Sequence, residues 1–159
     1  QNSVAHADLG FAKYFAKDFA GALSSFDQAV TLDGSKRYLN PWRCWVMILM
    51  GSADKTTAMV DISVKKLEAE RDWIDQLVLF IGGKISEQDL VNTVNKVTDA
   101  NLKNAQLCEA YYFIAERRAH SGDKDNATAF YRETLKTKAA QLSAYRGAQY
   151  TLKSFGPPK

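Results

Sequence analysis

The sequence predicts an all-α fold, a short array of about four helix hairpins closed by a C-terminal capping helix. Three observations predict it. Apolar residues recur at helical spacing along most of the chain, and few places read as strand. Glycine and proline are scarce, 9 and 3 in 159 residues, and Gly51, Gly82 and Gly122 fall where helices should end. A turn followed by a helix also repeats. Taking Asp18, Asp54, Glu87 and Asp123 as equivalent gives intervals of 36, 33 and 36 residues by subtraction. Each acid is expected at a helix start, where it meets unpaired N–H groups and the positive end of the dipole. A small residue four positions on lets two helices approach, and an aromatic four further on fills the gap.

The apolar spacing places helices near 4–17, 19–32, 41–50, 55–70, 72–81, 87–99, 105–121, 124–137 and 139–154. They pair into hairpins over 3–34, 35–70, 71–100 and 104–137, with 139–154 as the cap. Residues 1–155 read as one solenoid domain, and 156–159 as a flexible tail, because Gly156-Pro157-Pro158 cannot continue a helix. Asn40 reads as an N-cap before Pro41 at the first helical position. Ser86 and Asp89 have the spacing of a capping box.

Composition sets outer bounds. With 46% hydrophobic and 25% charged residues, the chain can bury a core. A net charge of +3, with both signs interspersed, does not predict a nucleic-acid partner. No apolar run approaches the ~18 residues of a membrane span. Cys44 and Cys108 lack metal-ligand or CxxC spacing and are expected as buried thiols, with a disulfide between them left open. The chain opens on Gln1 rather than methionine, so a processed form or an excised domain is expected.

Catalytic motifs are missing. His6 and His120 have no ligand partner at i+4, and HExxH, GxSxG, GxxxxGK[ST] and GxGxxG do not occur. Cys108 and His120 are separated by roughly 18 Å of helical rise, too far to bond. A Cys44–His120 pairing across hairpins is left open. Glu109 and Glu116, roughly 10 Å apart on one helix face, read as solvated or groove-lining. The expectation is a protein without enzymatic activity, metal or cofactor.

The first and last hairpins resemble tetratricopeptide (TPR) units. Leu9, Gly10, Tyr14, Asp18, Ala22, Phe26, Ala29 and Asp33 fit the first, with His6 where tryptophan is common and Gly34 where proline is. Tyr111, Gly122, Asp123, Ala127, Tyr131 and Leu135 fit the last, with Ala115 for glycine and Thr134 for alanine. The middle two are degenerate. Residues 73–155 are similar to the C-terminal part of NlpI-type bacterial TPR lipoproteins and their periplasmic relatives. The matching stretches are Leu79-Phe80-Ile81-Gly82-Gly83-Lys84-Ile85-Ser86-Glu87-Gln88, Leu107-Cys108-Glu109-Ala110-Tyr111-Tyr112-Phe113, Gly122-Asp123-Lys124 and Ser143-Ala144-Tyr145-Arg146-Gly147-Ala148.

This resemblance implies a right-handed superhelix whose concave face is lined by the first helix of each hairpin. It implies an adaptor that holds cell-wall hydrolases or a periplasmic protease at the envelope, in a periplasmic or envelope-associated setting, with the cytoplasm as the other setting. The lipidated cysteine of that family is not present in the sequence. The implied partner-binding residues are Phe11, Tyr14 and Phe15 in the first hairpin, and Glu109, Tyr112, Glu116 and His120 in the last. Tyr111 and Tyr112 are adjacent and cannot both face the core; Tyr112 is expected in the groove, where its ring and hydroxyl suit a wet surface. For Phe11 and Phe15 the other reading is packing under the next hairpin. Trp42, Trp45 and Trp73 read as core, or else as an aromatic hot spot. The expected function is a non-enzymatic scaffold binding a protein or peptide in its helical groove. The alternative is an assembly module, a homodimer through the N-terminal aromatic face of Val4, Phe11 and Phe15.

Overall fold

The structure is a computed structural model that describes residues 2–156, so the tail residues 157–159 lie outside the described residues. It is all-helical, with no strand among the described residues. The helices are α1 (Ser3–Phe15), α2 (Phe19–Leu32), α3 (Asn40–Leu49), α4 (Ala53–Val64), α5 (Trp73–Ile81), α6 (Glu87–Asn95), α7 (Ala100–His120), α8 (Lys124–Lys136) and α9 (Ser143–Ser154). Two 3₁₀ turns, Lys36–Leu39 and Glu68–Glu70, complete the set. The chain falls into two compact units that divide between Ile85 and Ser86. The division separates the helices of the third expected hairpin, α5 and α6.

In the first unit, α1 and α2 pack closely because Gly10 has no side chain. A methyl group there would run into the Phe26 ring, which is fully buried. Lys17 takes a left-handed φ of 63° to turn the chain, and the Asp18 carboxylate accepts the Gly21 N–H at 2.9 Å. The α3 helix packs on α2, α4 and α5 and sends Trp42, Cys44, Trp45 and Val46 inward. Trp42 and Trp45 are therefore core, whereas Trp73 is half-buried.

Several expected boundaries move, each for a local reason. Asn40 is the first helical residue and not the cap, because the 3₁₀ turn runs straight into α3; Pro41 still falls in the first turn, where its missing N–H is harmless. Asp54 lies in the first turn of α4, behind Ser52 at the cap position, and helps only through the dipole. The α4 helix stops at Val64 rather than running to residue 70. There Arg71 folds back and donates to the Ser63 and Val64 carbonyls at 3.1 and 2.9 Å, closing the helix end. Gly83, at φ 75°, makes the left-handed turn expected of Gly82. Gly82 instead allows a close approach, since a Cβ there would lie 2.5 Å from Val60 Cγ2.

Asp75 anchors the α4–α5 corner. It is 3% exposed and accepts from Ser63 Oγ at 2.7 Å, Lys66 Nζ at 2.8 Å and the Asp72 N–H at 3.1 Å. Asp72 returns the bond to the Asp75 N–H, forming a capping box, and pairs with Arg37 at 2.6 Å. Partial burial alone would raise the Asp72 carboxyl, but Arg37 and the Asp75 N–H outweigh it and hold it down at about 2.

The second unit is built around α7, against which α6, α8 and α9 all pack. Ser86 and Asp89 form the expected reciprocal cap. The α6 helix ends at Asn95, not 99, and α7 begins at Ala100, not 105, because Asp99 caps the Leu102 N–H at 2.7 Å. Gly122 (φ 90°) turns α7 into α8, capped by Asp123. The last helix begins at Ser143 rather than 139, since Lys138 takes a left-handed φ of 56°.

Candidate functional site

The structure turns several of the expected partner-binding residues inward. Phe11 and Tyr14 are 7% and 6% exposed. Both stack edge-on against Trp42, with centroids 5.0 and 5.3 Å away. Their expected place on an open face is corrected: α3 of the next hairpin supplies the ring that covers them. Phe15 is half-buried against the Phe11 and Tyr14 rings.

In the second unit the expected roles of two tyrosines are exchanged. Tyr112 is 1% exposed, set between Phe113 and Tyr131 and covered by α9, whose Gly147 lies directly on its ring. The α7 helix is buried on more than one face, so facing away from Tyr111 does not mean facing water. Tyr111 is the half-buried one, with its ring 6.0 Å from Phe130. Glu116 is half-buried and accepts the Tyr131 hydroxyl at 2.5 Å. Burial first, and then the Glu116 charge, push that hydroxyl far above its ordinary range. Glu109 is half-buried, and His120 is exposed at the end of α7.

A cleft that none of these residues lines lies within the second unit. It is an open groove of about 470 Å³ between Ser86, Glu87, Gln88 and Val91 on α6 and its cap, Ile114 on α7 and Phe130 on α8. Helical spacing builds it. Leu90 and Val94, one turn apart and fully buried, seat α6. Glu87 and Val91, also one turn apart, then occupy the neighbouring stripe and face the gap. Its accessible apolar surface comes from the half-buried Val91 and Phe130, with the fully buried Ile114 beneath them.

One arginine organises the rim. Arg118 Nε and one terminal nitrogen donate to the two Glu87 carboxylate oxygens, both at 2.8 Å. The other terminal nitrogen donates to Asp123 at 2.8 Å. The guanidinium carbon stands 5.8 Å from the Phe130 ring centre. These hydrogen bonds, Glu87 first, raise the Arg118 pKa further, and Arg118 in turn lowers that of Asp123. Asp89, bonded to Ser86, is likewise lowered.

The sequence gives little sign of this site. Glu87 reads there as a helix-start acid, yet Ser86 and Asp89 do the capping and release Glu87 to a partner 31 residues away. Phe130, next to the core residue Tyr131, has no distinguishing local signal.

The thiols are not poised for nucleophilic chemistry. Both are buried and unlinked, and burial pushes Cys44 up to about 12 and Cys108 up to about 11. Among the described residues, no group of three or more His, Cys, Asp or Glu side chains could hold a metal ion. No helix among them is long and apolar enough to cross a membrane. Compared with protein-family models and with curated proteins, the chain matches none.

Proposed function

We propose that this protein is a non-enzymatic interaction module of TPR-like helix hairpins that binds a protein or peptide segment in the cleft between α6, α7 and α8. The observation that carries this reading is the cleft itself, with an apolar floor, a charged rim and a volume suited to one or two side chains. The hairpin reading is supported by the starts of α2, α4, α6 and α8, which are 34, 34 and 37 residues apart by subtraction. It is supported too by Gly10 against Phe26 and by acid caps at Asp18 and Asp123, which fall at corresponding places in the first and last hairpins. The resemblance to NlpI-type proteins supports a setting in a bacterial envelope, with a cell-wall or proteolytic enzyme as client.

The test is a peptide-display selection on the whole chain, followed by amide-shift mapping of the selected peptides. Binding should perturb α6 and α8 and be lost in Val91→Trp, which fills the cleft. It should persist in Leu9→Trp, a change at an exposed position of α1. Selected peptides that bind the Val91→Trp protein unchanged would overturn the reading.

A further inference from the structure

We infer that the segment this cleft takes is basic as well as apolar: an aliphatic or aromatic anchor side chain flanked by lysine or arginine. The inference rests on the cleft being the binding site. It follows from the charges set around an apolar floor. Glu87 lines the cleft, Asp123 is joined to it through Arg118, and Asp89 is bonded to Ser86 of the lining at 2.8 Å. Glu87 and Asp123 therefore share one guanidinium, a local excess of one negative charge, and Asp89 adds a separate carboxylate on the same helix start as Glu87. Arg118 gives its hydrogen bonds to two of those carboxylates and lies near the Phe130 ring, so it is occupied as a docking point for an acidic partner. Lys124, at the start of α8, has its ammonium 4.5 Å from the Phe155 ring. Gln88 and Ser86 spend donors on Asn92 and Asp89, so beside Arg118 the charged groups of the rim are carboxylates, which only accept and so select cationic donors. Glu87, Arg118 and Asp123 are each about one-third exposed, so an incoming lysine can reach the carboxylates while its neighbour enters the floor.

The experiment titrates the full chain with four short labelled peptides and reads fluorescence anisotropy. The first has a central Leu-Phe pair flanked by lysines. The second and third have the same centre flanked by serines or glutamates. The fourth has lysine flanks around a Ser-Ser centre. The lysine-flanked Leu-Phe peptide should bind about tenfold tighter than the serine-flanked one, the scale of two exposed ion pairs. The glutamate-flanked peptide should be weaker still, and the Ser-Ser peptide should not bind. The preference should shrink with added salt and in Glu87→Gln, with circular dichroism showing that the variant is folded. If Val91→Trp blocks binding but the glutamate-flanked peptide binds as well as the lysine-flanked one, the inference fails and the cleft reading stands. If binding survives Val91→Trp, the cleft reading fails and takes the inference with it. No binding by any of the four overturns the inference.

Discussion

Gly147 sits in the interior of α9, where two effects of opposite sign compete. Glycine in a helix costs about 1 kcal/mol relative to alanine, so on propensity alone Gly147→Ala should stabilise. The packing predicts the reverse. A Cβ at this position would lie 2.6 Å from Tyr112 Cε2 and 2.8 Å from both Cζ and the hydroxyl oxygen. Non-bonded carbons settle at about 3.5–4.0 Å, so the ring would have to move by nearly an ångström. Tyr112 is 1% exposed and hemmed in by Phe113 and Tyr131, so it has nowhere to go. Overpacking of this kind costs about 1–3 kcal/mol, and the net expectation is a loss of about 1 kcal/mol. Tyr112→Leu deletes the three atoms that the new methyl would meet. In that background only the propensity gain remains, and Gly147→Ala should stabilise by about 1 kcal/mol. The two changes should therefore couple by about 2 kcal/mol in a double-mutant cycle. Urea unfolding followed by circular dichroism reads this directly, as midpoint shifts at constant slope. A higher midpoint for Gly147→Ala alone, or the same sign in both backgrounds, would refute the packing argument.

Other consequences are as direct. Asp75→Ala should cost about 2–3 kcal/mol in urea unfolding, less than a fully buried pair, because Lys66 and Arg37 are 32% and 44% exposed and regain water; a loss under about 1 kcal/mol would contradict that. Ser63→Ala, which removes one of its donors, should cost about 1 kcal/mol in the same assay. Asp72 has a native value of about 2 against an ordinary 3.8, so its contribution is present above the ordinary value and lost as pH falls through that window. Melting temperature should fall less steeply there in Asp72→Asn, which keeps a capping side chain; the effect should be modest, since the carboxylate is 47% exposed. Cys44 and Cys108 should both resist a thiol reagent at mildly alkaline pH and react together on addition of denaturant, because burial holds them at about 12 and about 11. Prompt reaction of either thiol in the native protein would show that it is accessible.

What the sequence made legible was what neighbours along the chain decide. The Ser86–Asp89 box, the Asp18 and Asp123 caps and the Gly122 turn depend on residues within a few positions of one another. The apolar pattern overruns the ends of α4 and α6 and the start of α9, because other groups override it. Arg71 reaches back to the last carbonyls of α4, Asp99 claims the chain for α7, and Lys138 adopts a left-handed turn. Which of Tyr111 and Tyr112 is buried is a tertiary matter. The adjacency rule correctly separated the two rings, but only the position of α9 decides which side is covered, and Gly147 is the residue that fixes it. Phe11 and Tyr14 show the same limit, since an aromatic stripe on a helix serves a groove or a neighbouring helix equally well until that neighbour is located. The homodimer alternative inherits the problem. Phe11→Glu would place a charge between Phe26 and Trp42, so loss of the fold, rather than a folded monomer, is the expected result.

The cleft depends on a contact that contributes more to geometry than to stability. Arg118 and Glu87 are 33% and 34% exposed, so their ion pair is expected to stabilise by no more than about 1 kcal/mol. Its hydrogen bonds are nonetheless bidentate, which fixes direction as well as distance. The α6 helix has nine residues and buries only Leu90 and Val94, so few contacts specify its angle on α7. Arg118 therefore sets where Val91 stands relative to Phe130. Arg118→Ala should shift the urea midpoint by an amount equivalent to about 1 kcal/mol, while hydrogen exchange of the α6 amides accelerates and that of the α7 core around Ile114 does not. Equal loss of protection in α6 and α7 would make Arg118 an ordinary stabilising residue. Unchanged protection in α6 would mean that Leu90 and Val94 suffice to hold the helix, and that the cleft does not depend on its rim.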